Sequence, residues 1–310
     1  MSLAFVFPGQ GSQSVGMQND LASHHPIVEQ TYAEASAVLG FDLWQLVTTG
    51  SEEELKQTAI TQPALLTAGV AAWRVWLAQD GVEPEWMAGH SLGEYSALVC
   101  AGVIDFADAV MLVRKRGEYM QAAVPAGEGA MSAVLNLAPA TVAELCGQVA
   151  EGGVVSVANY NSSVQTVVSG STEAVSRLGD LATDAGAKRV VPLPVSAPFH
   201  CQLMAPAAEQ MAALLADVQF HQPQIKVINN VDVAAQTDPE EIKAALVRQV
   251  TGSVRWVEVI EKMVGQQVTQ IVECGPGKVL AGLSRRISRD LKNHCLIDHD
   301  SVVKAVAECQ

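Results

Sequence analysis

Gly89-His90-Ser91-Leu92-Gly93 is a G-x-S-x-G pentapeptide between the apolar run Trp86-Met87-Ala88 and the apolar stretch Glu94–Val103. In a strand–turn–helix setting this pattern makes a nucleophile elbow. The glycines let the chain turn sharply and pass neighbours that a Cβ would strike. Ser91 is then exposed at a helix N-terminus, where unpaired N–H groups and the helix dipole can stabilise an oxyanion. Taken alone, the pentapeptide also suits a structural glycine turn, so the remaining chemistry has to be found elsewhere.

A serine hydroxyl needs a base within hydrogen-bond reach. Seven histidines compete for that role. His90 adjoins Ser91, so its side chain is expected to diverge from the serine's. His24 and His25 lie at a helix start, and His221, His294 and His299 lie in polar, loop-like sequence. His200 stands out because Pro198-Phe199-His200 follows the last strand of the central segment, a position where loops carry sites. Spacing excludes none of the others. Cys201, next to His200, is a second nucleophile to consider, although an incidental thiol is the simpler reading. Phe106, Ala109, Val113 and Met120 share one helix face, and Arg116 falls on or beside it. An inward arginine must be paired. Spacing favours a structural ion pair over a seat for a substrate carboxylate.

The elements that position these residues can be read from the rest of the chain. Its 310 residues, 49% hydrophobic and 17% charged, suit a large globular core. A net charge of −14 argues against nucleic acid or an anionic membrane as the main partner. No apolar run reaches membrane-spanning length, and the first residues lack the layout of a signal peptide, so a cytoplasmic location is expected. The six cysteines show no C-x-x-C spacing, and no metal-binding motif is present.

Leu3–Phe7 reads as a buried strand followed by Pro8-Gly9-Gln10-Gly11. Ser14 stands where a dinucleotide loop needs its third glycine, so that reading fails. Helices are expected over Pro26–Leu39, from the capping box Ser51-x-x-Glu54, over Thr61–Gln79 with Pro63 in its first turn, and over 105–122. Ala130–Leu137, Ala140–Ala150, Val154–Tyr160, Thr166–Ser169, Thr172–Ala185 and Arg189–Val195 then read as β-α-β-β-α-β, a ferredoxin-like insert. Lys226–Asn229 and Gln270–Cys274 read as strands. Helices are expected after the Asp238 N-cap, over Val254–Val264, and from Lys278 to about Asp290. The alternation predicts an α/β fold with a mostly parallel sheet covered on both faces.

Eight motifs occur in order: Gly9-Gln10-Gly11-Ser12-Gln13, Thr61-Gln62-Pro63-Ala64, Gly89 to Glu94, Arg116-Gly117, the Asn159/Asn161 segment, Pro198-Phe199-His200, Asn229-Asn230 and Gly275-Pro276-Gly277. Together they resemble the bacterial malonyl-CoA:acyl carrier protein transacylases of type II fatty acid synthesis, from Phe5 to about Arg286. The resemblance implies an α/β-hydrolase-like large domain over 1–126 and 197–310, with the ferredoxin-like subdomain over 127–196. It implies Ser91 as nucleophile, His200 as base and acid, and Arg116 as clamp for the malonyl carboxylate. It also implies an oxyanion hole from the N–H groups of Gln10 and Leu92, a His200-orienting carbonyl at Gln249, and a pocket lined by Gln62, Asn161 and Phe199. No bound cofactor is implied. Malonyl-CoA is the donor, and the acceptor is the phosphopantetheine thiol of an acidic, transiently bound acyl carrier protein. Lys188-Arg189 and Arg285-Arg286 are candidate docking patches for that partner.

Two positions depart from the family pattern. Many bacterial members have serine where this chain has Phe199, and a phenylalanine there resembles malonyl-selecting acyltransferase domains of modular synthases. Ser163 replaces a common proline. The rival readings are a serine esterase or thioesterase and a non-catalytic carrier-protein-binding protein. The missing HGGG-like loop and third acid weigh against the esterase, and joint retention of Ser91, His200 and Arg116 weighs against the binding protein.

Overall fold

The computed structural model describes residues 2–310; Met1, the first residue of the expected large domain, lies outside them. Five parallel strands form the larger sheet: β1 (Ser2–Phe7), β2 (Trp86–Gly89), β7 (Lys226–Ile228), β8 (Val268–Glu273) and β9 (Lys292–Cys295), in the order β7-β2-β1-β8-β9. Alternation along β1 explains why helices cover both faces. Phe5 and Phe7 face one core, where Phe5 meets Trp73 and Trp76 edge-on at 5.2 and 5.1 Å. Ala4 and Val6 face the other core, with Trp256, Ile260 and Leu283.

Four antiparallel strands form the second sheet: β3 (Gly129–Leu135), β4 (Val155–Ser162), β5 (Gln165–Ser171) and β6 (Arg189–Pro192), in the order β4-β5-β3-β6. Helices Pro139–Val149 and Thr172–Asp184 lie between its strands in sequence, so the element order is the expected β-α-β-β-α-β. Val134, Val157 and Val168 pack against those helices. Met131, Ala133 and Val167 turn to the opposite face and join the main core. A bridge from Asn159 to Val254 ties β4 to the larger sheet's side of the molecule.

Several expected boundaries move. The long apolar helix spans Thr58–Ala78, not Thr61–Gln79, so Pro63 lies in its second turn rather than its first. Gln57, with its N–H bonded to Glu54, starts the helix early. Sixteen of the 21 residues of this helix are buried, so tertiary packing outweighs the lost backbone bond. The strand expected to reach Val195 stops at Pro192, where Pro192 and Pro194 remove ladder donors. Val254 bonds to Ala158 instead of opening a helix, which begins at Trp256. The elbow helix ends at Cys100 because Gly102 turns left-handed (φ 75°). The Ser51–Glu54 capping box and the Asp238 N-cap form as expected. Helices Asn19–His24, Leu43–Thr49, Ala205–Ala216 and His299–Cys309, and strand β9, were not foreseen.

Candidate active site

The carboxyl ends of neighbouring parallel strands converge on one edge of the larger sheet, the place where open α/β sheets bind ligands. β1 delivers the Gly9–Gln10 turn, β2 delivers Ser91, and β7 delivers Asn229-Asn230. The two elbow glycines are sterically required. A Cβ on Gly89 would overlap the Gly93 carbonyl carbon, and one on Gly93 would overlap the Phe7 carbonyl oxygen. Ser91 itself has φ 53°, a left-handed conformation that a non-glycine residue adopts only when its surroundings hold it there. Asn230 provides that hold: its Oδ1 accepts from Ser91 N at 2.7 Å, and its Nδ2 donates to Gly89 O at 2.7 Å.

His200 Nε2 lies 2.7 Å from Ser91 Oγ, and His200 Nδ1 lies 2.8 Å from the carbonyl oxygen of Gln249. A carbonyl only accepts, so Nδ1 carries the proton and Nε2 presents its lone pair to the serine hydroxyl. Burial, helped by the Arg116 charge, pushes His200 down to about 3, so the imidazole is neutral near pH 7.

Arg116 is 2% exposed. Its Nη1 donates to Gln62 Oε1 at 2.8 Å, and its Nη2 donates to Gln249 Oε1 at 3.0 Å and Ser91 Oγ at 3.2 Å. Its hydrogen-bond partners are amides and a hydroxyl. The structural ion pair favoured by spacing is therefore not what holds it. The guanidinium also lies 5.4 Å from the Tyr95 ring centroid.

Ser91, His200, Arg116, Gln10, Leu92, Gln62 and Phe199 line one pocket of about 110 Å³. The backbone N–H groups of Gln10 and Leu92 make no hydrogen bond to the described residues and remain available as donors. A neighbouring pocket of about 390 Å³ shares Gln10, His90, Asn159 and Leu193 with it, and reaches Lys278 and Arg286. Asn161 belongs to this second pocket, where its Oδ1 accepts from His90 Nε2 at 2.9 Å. Thus Asn161 orients His90 and does not line the Ser91 pocket.

The other candidates lie elsewhere. His24 stacks on His299 with centroids 4.4 Å apart, and His25 Nε2 is 3.0 Å from His299 Nδ1. His294 Nε2 meets Gln270 Oε1 at 3.0 Å. Cys201 donates to Pro198 O at 3.1 Å, and burial raises its thiol pKa, the wrong direction for a nucleophile. Sequence reasoning assigned no role to Glu94, Asn230 or the Gln249 side chain. Glu94 did carry a signal, as the one charged residue on the helix Gly93–Cys100.

Residues 4–296 match the family model described as the acyl transferase domain. The chain is 55% identical over 303 residues to the malonyl CoA-acyl carrier protein transacylase of Escherichia coli K12, covering 98% of each sequence. It superposes with a TM-score of 0.97 on the crystal structure of an acyl carrier protein S-malonyltransferase from Vibrio cholerae, at 55% identity, covering 98% of this chain and 100% of that one. A malonyl-transacylase in complex with its type II PKS acyl-carrier protein gives a TM-score of 0.98 at 52% identity, covering 99% of this chain and 100% of that one.

Proposed function

The chain belongs to the acyl transferase domain family, and on that premise we propose that it moves a malonyl group from malonyl-CoA to the phosphopantetheine thiol of an acyl carrier protein. The observation that carries the substrate assignment is Arg116: a buried cation held by two amides, 3.2 Å from the Ser91 hydroxyl. In a malonyl thioester one methylene separates the free carboxylate from the reacting carbonyl. A cation that reads the carboxylate must therefore sit beside the nucleophile, and a bidentate guanidinium is the side chain suited to it.

The reaction proceeds in two half-reactions. His200 Nε2 takes the Ser91 proton as Oγ adds to the thioester carbonyl, and the oxyanion is received by the N–H groups of Gln10 and Leu92. Collapse breaks the C–S bond, and the proton on His200 passes to the departing CoA thiolate. The ester on Ser91 is then attacked by the carrier's thiol, which gives its proton to His200, and Ser91 Oγ recovers a proton as it leaves. The Gln249 carbonyl stabilises the imidazolium formed in each step, the office an aspartate holds in a Ser-His-Asp triad. Each oxyanion donor is worth roughly 3–4 kcal/mol of transition-state stabilisation.

In this reading, residues 1–126 and 197–310 form an α/β-hydrolase-like domain, and 127–196 form a ferredoxin-like subdomain that roofs the pocket with Met131, Asn159 and Leu193. No helix among the described residues is long and apolar enough to cross a membrane. Six free thiols suit a reducing compartment, and we assign the reaction to the cytoplasm. Intact-mass measurement after mixing with malonyl-CoA tests the function. A malonyl adduct on Ser91 that holo-carrier protein discharges is the expected result. Rapid release of free malonate would indicate an esterase, and neither adduct nor turnover would indicate a binding protein.

A further inference from the structure

Glu94 lies in the first turn of the elbow helix, 2% exposed, and its hydrogen-bond partners are two amides. One oxygen, Oε2, accepts from the backbone N–H of Asn230 at 2.9 Å and from Gln249 Nε2 at 2.8 Å. Gln249 bonds to all three of Ser91, Arg116 and His200. Its Nε2 also donates to Ser91 O at 3.1 Å, its Oε1 accepts from Arg116 at 3.0 Å, and its backbone carbonyl accepts from His200 at 2.8 Å.

A side-chain amide has one donor end and one acceptor end. With Glu94 Oε2 and Ser91 O both on the Nε2 side, the amide oxygen is fixed toward Arg116. Turned over, the amide would set its NH2 against the guanidinium and its oxygen against two other oxygens. Arg116 would then keep Gln62 as its only amide acceptor. We propose that Glu94 is a positioning residue for carboxylate recognition, acting through the Gln249 amide to hold Arg116 in place beside Ser91. The proposal rests on the reading of Arg116 as the seat of the malonyl carboxylate.

The test compares kcat/KM for malonyl-CoA and acetyl-CoA, which lacks the carboxylate, in the wild type and in Glu94→Met, Glu94→Gln and Gln249→Met. Glu94→Met removes the acceptor and should lower the malonyl-to-acetyl ratio about 10- to 100-fold, chiefly through the KM for malonyl-CoA. Glu94→Gln keeps an acceptor oxygen and should recover most of that ratio. Gln249→Met, which retains the carbonyl used by His200, should match Glu94→Met. Parallel loss on both substrates, or an unchanged ratio in Glu94→Met, overturns the proposal. So does a Glu94→Gln enzyme as impaired as Glu94→Met. An unchanged ratio in Gln249→Met overturns it even if Glu94→Met does not fold. A wild type with no malonyl preference overturns the reading of Arg116 instead.

Discussion

Arg116 Nη2 donates to Ser91 Oγ at 3.2 Å, so one oxygen accepts from the cation and meets the base, His200, at 2.7 Å on its other bond. In the proposed mechanism this shared atom makes substrate recognition and nucleophile activation one arrangement. In that mechanism a carboxylate that pairs with Arg116 brings its acyl carbon to the oxygen that attacks it, and it offsets the charge that adds to burial in keeping His200 unprotonated.

Replacing Arg116 with alanine should therefore remove selection more than chemistry. Loss of two charge-assisted hydrogen bonds to the carboxylate should lower malonyl transfer roughly 100-fold or more. Acetyl transfer, which never used those bonds, should fall much less. Steady-state kcat/KM on the two CoA esters checks this. Equal losses would refute the clamp.

The pH profile should show the same coupling. Burial and the Arg116 charge lower His200 from its ordinary 6.5 to about 3, so the base stays deprotonated well into acid. For kcat/KM, which reports the free enzyme, the acid limb should lie well below pH 6. Once the malonyl carboxylate offsets Arg116, His200 regains basicity, and the acid limb of kcat should lie at higher pH. A kcat/KM limb at an ordinary histidine pKa would contradict the geometry. The same shift means the unfolded chain binds the extra proton between pH 3 and 6.5, so this group's contribution to stability is lost as pH falls through that window.

Glu94 shifts in the opposite direction. Burial raises it from 4.5 to about 7, against the hydrogen bonds from Gln249 and Asn230 and the charge of Arg116, and with the help of Asp232. The native state then holds more protons than the unfolded state between pH 4.5 and 7, so stability from this group falls as pH rises. Glu94→Gln removes the titration and keeps the shape. Its stability relative to wild type should rise by roughly 2–3 kcal/mol from pH 5 to pH 8. Urea denaturation at the two pH values measures this. The His200 contribution is common to both proteins and cancels.

What was legible in the sequence follows from how far each interaction reaches. The elbow, its caps and the β-α-β-β-α-β order are local patterns, and they read correctly apart from boundaries that tertiary packing moved. Ser91, His200 and Arg116 stood out as candidates, but spacing left six other histidines open and favoured an ion pair for Arg116; only the resemblance carried by eight ordered motifs gave the three their roles. Glu94, Asn230 and the Gln249 side chain were given none. They meet across 136 and 155 residues, and their chemistry exists only where the strand ends converge. Pro63 was misplaced because the burial of most of this helix, Pro63 included, overrides the local cost of proline.

The elbow glycines allow a steric prediction with an internal control. A Cβ on Gly93 would overlap the Phe7 carbonyl, a backbone atom in the central strand that cannot swing aside. Gly93→Ala should cost at least about 3 kcal/mol. At Gly282, within helix Val279–Ile287, a Cβ meets nothing within 4 Å. Gly282→Ala should be stabilising by up to about 1 kcal/mol. Comparable effects at both sites in urea melts would contradict the steric account.

Docking of the carrier protein gives the last prediction. The enzyme carries a net charge of −14, so an acidic partner is repelled on average and needs a local cationic landing site. Lys188, Arg189, Arg285 and Arg286 are all exposed, and Arg286 together with Lys278 lines the pocket that joins the Ser91 chamber through Gln10 and His90. A phosphopantetheine arm entering there would leave its protein beside the arginine pair. Reversing Arg285 and Arg286 to glutamate should raise the apparent KM for carrier protein by about tenfold or more at low salt, and the effect should shrink as salt screens it. Acylation of Ser91 by malonyl-CoA isolates the first half-reaction, and its kcat should change little. Reversal at Lys188 and Arg189 should act more weakly, because neither lines that pocket. If both reversals together left the KM for carrier protein unchanged, electrostatic docking at these patches would be wrong.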